Sequence, residues 1–440
     1  MTPRRPPTVG PTSDRARRHP VALAAIVIAS LIVGACGTSN QTSNPPSSAS
    51  ANPSDGPSAS VDLPALYAKI EAEVTEIRGL KAKSPVDPTV LDDAGLKKLI
   101  NNSFQKDNPP ALLEANQRML ELMGLLDGRD SLEKLYLELL GSQVAGLYNP
   151  DDKHLYVVSK SGGLGPAEKT TFAHEYTHAL QDQNFDLSGL RLDEIGEGDR
   201  AIARLSLVEG DATLLMSLWQ IQHLSQAEIV ELLGQSLDPE VTGVLEKMPP
   251  VLRESLFFPY TSGLNFTQGL QTAGGWAAVD AAFDNPPAST EQILHPEKYQ
   301  SHEIPVPVDL PNDLAEQMGK GWTVGLEDTL GEFQLRVWLA NAAGGVATSQ
   351  ADATTAAAGW GGDRTMILRG PNGASAVLVI ATAWDTPADA AEFATQARLV
   401  VDAMHDPGDV IATGGTTVTV VIASRPEFLT KMTGVLARGV

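Results

Sequence analysis

The stretch TTFAHEYTHALQDQ, residues 170–183, places two histidines four positions apart with a glutamate directly after the first. Pro166 precedes it, and a proline suits the first turn of a helix, where its missing N–H costs nothing. The pattern predicts a helix that begins at Pro166 and runs through the motif to about residue 183. On such a helix His174 and His178 share one face, so both can bind the same metal ion.

These residue types point to a catalytic zinc ion. Two neutral imidazoles leave the ion its positive charge, and a third protein ligand plus a water completes an open tetrahedral site. Zinc lowers the pKa of such a water to about 7, and a neighbouring carboxylate can move its proton to a leaving amine. We therefore predict one zinc ion per chain, His174 and His178 as ligands, and Glu175 as general base. The alternative is an ordinary polar helix with two exposed histidines.

HEYTHALQD resembles the active-site helix of the thermolysin-like gluzincin peptidases, which carry a threonine before the second histidine and an aspartate four residues after it. Thr177 and Asp182 occupy these positions here. The resemblance implies a supporting role for Asp182 and a third ligand from the next helix, where ARLSLVEGDATLLM offers Glu209. Thr213 stands where the family carries a further aspartate, and Glu197, in a second EGD tripeptide, is the rival ligand.

Three further side chains are candidates for supporting roles. Asp211 can accept the second ring N–H of a ligand histidine, which fixes the tautomer of the ring. A donor for the oxyanion is also needed; the candidates are His295, in PPASTEQILHPEKY, and Tyr260, in FFPYTSGLNF. We rank His295 slightly ahead. It is predicted to lie at a helix end, whereas Tyr260 is predicted to precede a Thr-Ser-Gly turn.

The surrounding pattern predicts the elements that carry this helix. Two β-rich runs, 144–148 and 154–158, flank Asn-Pro-Asp-Asp and indicate a hairpin; the gluzincin resemblance implies that its edge pairs with an extended peptide substrate. Residues 199–222 are predicted to form a second helix. Residues 61–143 show apolar spacings of three and four, which indicate three or four helices that are either part of the enzyme or a steric inhibitor.

The predicted fold class is α+β. A mainly helical zincin-like catalytic domain, with a small sheet or hairpin beside the motif helix, is expected over residues 144–304. From residue 305 to 440, alternating strand, hairpin and helix patterns indicate a C-terminal α+β domain. Within the N-terminal helices, Asp130 and Glu133 have the spacing of a capping box.

The first 35 residues have the pattern of a secretory signal. Five arginines precede an apolar run, residues 21–33, that is too short to span a bilayer. The run ends in VGAC, which resembles a bacterial lipobox and implies cleavage before Cys36, with a lipid on its thiol. Residues 36–60 are rich in Ser, Asn and Pro and are predicted to be a disordered tether. We expect a protein anchored on the extracytoplasmic face of the cell membrane.

The charge of the chain limits its partners. The formal net charge is −22, and loss of residues 1–35 leaves 27 basic and 53 acidic residues, or −26. Because nucleic acids are also anionic, this negative charge argues against nucleic-acid partners. The sequence predicts a lipid-anchored zinc metallopeptidase with a peptide or protein substrate. The alternatives are a non-catalytic surface lipoprotein with a zinc-stabilised fold and a zinc hydrolase for another amide, such as a cell-wall peptide.

Overall fold

The computed structural model describes residues 62–158, 164–236, 239–412 and 414–438. The predicted signal segment, Cys36 and the tether lie outside the described residues. Within these ranges, no helix combines the length and the apolar character that a membrane span requires. The described chain contains many helices, one three-stranded sheet and one five-stranded sheet, which confirms the α+β fold class.

The N-terminal part is helical, as its apolar spacing predicts. Its helices are α1 (Leu63–Arg78), α2 (Asp93–Asp107), α3 (Pro110–Leu122) and α4 (Leu132–Gln143). The capping box predicted from Asp130 was wrong by one residue, since Ser131 is the N-cap of α4 and its hydroxyl accepts the N–H of Lys134. Serine caps as well as aspartate does, and the backbone of Ser131 has the extended conformation that a cap requires.

The predicted hairpin is present and belongs to a three-stranded sheet. Its strands are β1 (Pro88–Leu91), β2 (Gly146–Asn149) and β3 (His154–Val158). β2 and β3 pair antiparallel as predicted, whereas β1, which the sequence analysis missed, joins β3 in parallel. The strand order β1-β3-β2 leaves β2 at the edge of the sheet. One face of this edge strand lies against the motif helix, because a Cβ on Gly146 would be 2.5 Å from the methyl carbon of Thr171.

The motif helix is α5 (Pro166–Phe185), and the next long helix is α6 (Gly198–His223), so both predicted helices are present. Every side chain from residue 170 to 182 is buried, including the polar ones. α5 is therefore an interior helix covered on all sides, which explains why its polar residues need partners inside the protein.

A series of helices follows. They are α7 (Gln226–Ser236), α8 (Pro239–Lys247), α9 (Pro250–Asp284), α10 (Thr290–Leu294), α11 (Pro296–Gln300) and α12 (Leu314–Met318). The Thr-Ser-Gly turn predicted after Tyr260 was wrong, because residues 261–263 lie inside α9. The glycine of that tripeptide, Gly263, allows a close contact with another helix and does not form a turn. The helical backbone of α9 is interrupted only later, at Gly274 and Gly275.

α6 and α9 cross in direct backbone contact. A Cβ on Gly210 would lie 2.2 Å from the carbonyl oxygen of Gly263, and a Cβ on Gly263 would lie 2.1 Å from that of Ser206. No side chain fits at either position. Because Gly210 follows Glu209, this contact fixes α9 next to the predicted third ligand.

The C-terminal part contains the five-stranded sheet, with antiparallel neighbours in the order β4-β5-β6-β8-β7. Its elements are β4 (Thr323–Asp328), α13 (Gly331–Asn341), α14 (Gln350–Ala357), β5 (Trp360–Arg369), β6 (Ala376–Trp384), α15 (Pro387–Ala403), β7 (Gly408–Ala412), β8 (Thr417–Ala423) and α16 (Pro426–Leu436). The predicted strands and helices from residue 364 onward are present, whereas β4 was not predicted. One apolar core joins this sheet to helices before residue 305.

The close contact of α6 and α9 at Gly263 predicts that two glycine-to-alanine substitutions in α9 have opposite effects on stability. Gly263→Ala should destabilise the protein by about 1–3 kcal/mol or more, since the added methyl group must push two helix backbones apart. Gly269→Ala is the matched control, because a Cβ there meets nothing within 4 Å; it should stabilise the helix by roughly 0.5–1 kcal/mol. Chemical denaturation of both variants measures the difference. Equal effects would contradict the close contact.

Candidate metal centre

Three ligand-type atoms meet between α5 and α6. Nε2 of His174 lies 3.1 Å from Oε2 of Glu209, and Nε2 of His178 lies 3.3 Å from the same oxygen. The two Nε2 atoms are 2.9 Å apart. All three side chains are at most 1% exposed. The structure thus brings together the two histidines of the motif and the glutamate that the gluzincin resemblance implies.

The donor set fits a zinc ion. Ligand atoms about 2.0–2.1 Å from zinc in a tetrahedral site lie about 3.3–3.4 Å from one another, close to the separations seen here. Two imidazole nitrogens and a carboxylate oxygen are zinc ligands of catalytic sites. In addition, Oε1 of Glu209 is buried without a hydrogen-bond partner in the described chain. A bound cation would compensate this burial.

The rival ligand Glu197 lies elsewhere. It is the N-cap residue of α6, is partly exposed and pairs with Arg200 at 3.6 Å. Twelve residues of helix separate it from Glu209, which is about 18 Å along the axis. Glu197 therefore does not share a site with the two histidines.

Glu175 lies beside the ligands and is fully buried. Its Oε2 accepts the backbone N–H of Tyr148 in β2 at 2.6 Å, while its Oε1 has no hydrogen-bond partner among the described residues. Burial raises the pKa of Glu175 to about 8, although the charge of His178 opposes this shift. A carboxyl group with such a pKa can both take and return a proton near neutral pH.

The metal-free histidines differ in their ionisation. Burial lowers the pKa of His174 to about 4. Burial alone would also lower the pKa of His178, but the charge of Glu209 and the hydrogen bond to it raise this pKa to about 9. Near neutral pH the metal-free site therefore holds a proton on His178 that a metal ion must displace.

His178 is oriented by a chain of buried hydrogen bonds. Its Nδ1 lies 2.8 Å from Oε1 of Gln181, whose Nε2 donates to Oδ2 of Asp211 at 2.8 Å. Asp211 in turn accepts from Nε of Arg78, also at 2.8 Å. Asp211 thus acts on the histidine through Gln181, whereas the sequence analysis expected a direct contact. Gln181 was missed although its spacing of three from His178 places both on one helix face; Arg78 gave no local signal.

Asp182 links the hairpin to α5. It accepts from the hydroxyl of Tyr148 at 2.7 Å and from Nζ of Lys153 at 2.6 Å. Because the backbone of Tyr148 also holds Glu175, Asp182 supports the same contact from its other side. The supporting role that the resemblance implies for Asp182 stays a prediction.

The two oxyanion candidates lie in different surroundings. The ring of Tyr260, in α9, is buried with its centroid 6.3 Å from that of His174. His295 caps the end of α10, and its Nε2 lies 3.0 Å from Oε1 of Glu332, a bond that raises the pKa of His295. The geometry therefore favours Tyr260 over His295, the reverse of the order inferred from the sequence.

A second acidic cluster contains its own counter-ion. Carboxylate oxygens of Glu291, Glu303 and Asp385 lie close enough together to hold a cation. Nζ of Lys298 approaches them at 2.6, 2.7 and 2.6 Å, respectively. The lysine ammonium group already lies where a cation would bind these carboxylates, so the cluster gives no argument for a second metal ion.

Comparison with known proteins concerns only the C-terminal part. Residues 322–433 match the model of a "Domain of unknown function (DUF8575)". The match spans the five-stranded sheet and its helices, about a quarter of the chain, and does not include the histidine pair. No curated protein and no solved structure matches the chain.

The raised pKa of Glu175 predicts a pH-dependent stability cost. The unfolded glutamate ionises near its ordinary pKa of 4.5, whereas the folded one keeps its proton up to about pH 8, so stability falls as pH rises between these values. Glu175→Gln does not titrate. It should therefore stabilise the metal-free protein by about 1–4 kcal/mol at pH 8 and by little at pH 5.

Thermal unfolding in the presence of a chelator, at both pH values, measures this difference. Glu76→Gln, at an exposed position on α1, is the matched control, and such a surface substitution should change the free energy of unfolding by less than about 0.5 kcal/mol. An equal effect of Glu175→Gln at pH 5 and pH 8 would contradict the raised pKa.

Proposed function

We propose that the protein is a zinc-dependent peptidase, anchored by a lipid on Cys36 to the extracytoplasmic face of the membrane. The observation that carries the proposal is the convergence of His174, His178 and Glu209 within 3.3 Å of one another, with Glu175 beside them. This is the ligand set, together with the acid, that the gluzincin resemblance implies.

His174, His178 and Glu209 would hold the ion. Bound zinc supplies a water whose pKa is near 7 and polarises the carbonyl group of a substrate. Glu175 is placed to take the proton of that water and to deliver it to the leaving amine. One of its oxygens is fixed by the N–H of Tyr148, which leaves the unpartnered Oε1 for the proton.

The β2 edge offers main-chain groups to a peptide. N–H and C=O of one strand residue point to the same side, so the carbonyl group of Tyr148 shares the side on which its N–H meets Glu175. An extended peptide can donate a main-chain N–H to this carbonyl group next to the general base. Across the site, the buried Tyr260 beside His174 is our candidate for the oxyanion donor, ahead of His295.

The burial of the site favours a second candidate function. Structural zinc sites are closed, whereas catalytic ones keep an open position, and here ligands and Glu175 are at most 1% exposed. A non-catalytic surface lipoprotein stabilised by zinc would need no opening. A peptidase requires that the elements covering β2 and α5 move to admit substrate. The buried, unpartnered Oε1 of Glu175 supports the peptidase, since a structural site has no use for this acid.

Zinc content tests the ligand set. In residues 37–440, elemental analysis should find about one zinc ion per chain, and Glu209→Ala should lose it because one of three protein ligands is gone. Glu197→Ala is the matched control on the same helix and should keep its zinc. Retention by Glu209→Ala together with loss by Glu197→Ala would overturn the assignment.

Hydrolysis separates the two functions. Glu175→Gln should retain zinc and fold while peptide cleavage falls by about 10²–10⁴-fold, because the water loses its proton acceptor. Cleavage of a peptide library, and of cell-wall peptides for the amide-hydrolase alternative, is compared between this variant and the wild type. Equal rates would reject the mechanism. Zinc binding with no cleavage by the wild type would favour the binding lipoprotein.

A further inference from the structure

The N-terminal helix α1 contributes a buried charge behind the metal centre. The side chain of Arg78, in the last turn of α1, is fully buried. Its Nε donates to Oδ1 of Asp211 at 2.8 Å, and its Nη2 lies 2.7 Å from Oδ1 of Asp280. The guanidinium group also lies 4.6 Å from the ring centroid of Trp276. Of these contacts, only the hydrogen bond from Nε to Asp211 leads toward the metal centre.

The hydrogen bonds that lead from Arg78 to His178 have only one possible polarity. Nε–H of arginine is always a donor, so Oδ1 of Asp211 accepts it. The amide group of Gln181 approaches two acceptors, Oδ2 of Asp211 at 2.8 Å and the carbonyl oxygen of Val208 at 3.0 Å. A backbone carbonyl group cannot donate, so the amide nitrogen of Gln181 must face these two atoms.

This polarity sets the tautomer of the histidine. With its nitrogen turned toward Asp211, Gln181 presents its oxygen to Nδ1 of His178. Nδ1 must then carry a proton in the charged and in the neutral ring alike, so the neutral ring has its lone pair on Nε2, on the side of Glu209 and His174. Only this form of the ring can bind a metal ion through Nε2.

We propose that Arg78 is a positioning residue of the metal centre: through Asp211 and Gln181 it fixes His178 in its metal-binding tautomer and orientation. The proposal rests on the zinc site proposed above. It also assigns α1 to the functional unit, so α1 itself is not a removable inhibitor. Removing α1 would leave the carboxylate of Asp211 buried without its arginine partner, which destabilises a folded protein.

The test measures the dissociation constant for zinc by chelator competition in folded variants of residues 37–440. Arg78→Met and Gln181→Met should each raise it by about 10–100-fold. The double variant should match the larger single effect within about 3-fold, since both act through one hydrogen-bond chain. Asp211→Asn keeps the size of the side chain and should also weaken zinc binding. Its amide group can present a donor to Gln181 and so reverse the direction of the hydrogen bonds that lead to His178.

Asp280→Asn is the matched control. It removes the other acidic partner of Arg78, which is 38% exposed and does not touch Gln181, and it should leave the zinc affinity within about 3-fold of wild type. If Arg78→Met does not fold, Arg78→Lys replaces it. This variant keeps the charge but lacks the Nε–H donor, and the same non-additive loss is expected.

An unchanged zinc affinity in an Arg78 variant that only unfolds more easily would overturn the proposal, since that result describes a purely structural charge. Fully additive losses in the double variant would overturn it as well. These results are separable from a failure of the peptidase proposal, because zinc affinity is read without cleavage. A wild type that binds zinc but does not cleave peptides would refute the peptidase and leave the test of Arg78 intact.

Discussion

The burial of the Glu209 carboxylate between two imidazole rings is the constraint on which the rest of the site depends. A carboxylate at 1% exposure is stable only with compensating charge and hydrogen bonds. His178 supplies a positive charge to this carboxylate near neutral pH, and the proposed zinc ion would supply it in place of that proton. Binding of the proposed ion would therefore release a proton.

The helices around this carboxylate are placed by close packing. α6 carries Glu209, and its neighbour Gly210 allows the backbone of α9 to approach until no side chain fits between them. One turn before the contact on α9, Tyr260 is brought beside His174. On the opposite side, Gly146 lets the edge strand β2 approach α5, so that Tyr148 reaches Glu175. The glycines at these contacts, Gly146, Gly210 and Gly263, thus decide which groups border Glu175 and Glu209.

The sequence predicts the parts of this site that follow from local spacing. Two histidines four apart define one helix face, alternating β-rich runs define a hairpin, and the resemblance to gluzincins adds Glu209. What the sequence does not contain is pairing over long distances. β1 joins β3 across more than sixty residues, and Arg78 meets Asp211 across 133 positions. Such contacts are decided by packing, and neither Arg78 nor β1 carries a local pattern that indicates its partner.

The two EGD tripeptides of α6 show why a motif alone does not define a role. In the first, Asp199 accepts from the backbone N–H of Thr290 at 3.1 Å and from its hydroxyl, and so joins the start of α6 to α10. In the second, Asp211 is bound by Arg78 and Gln181 behind the metal centre. The two copies of this tripeptide have the same sequence, but one lies at the start of α6 and the other in its interior. Their aspartates therefore face different partners. Position along the helix decides which carboxylate joins α6 to α10 and which one reaches His178 through Gln181.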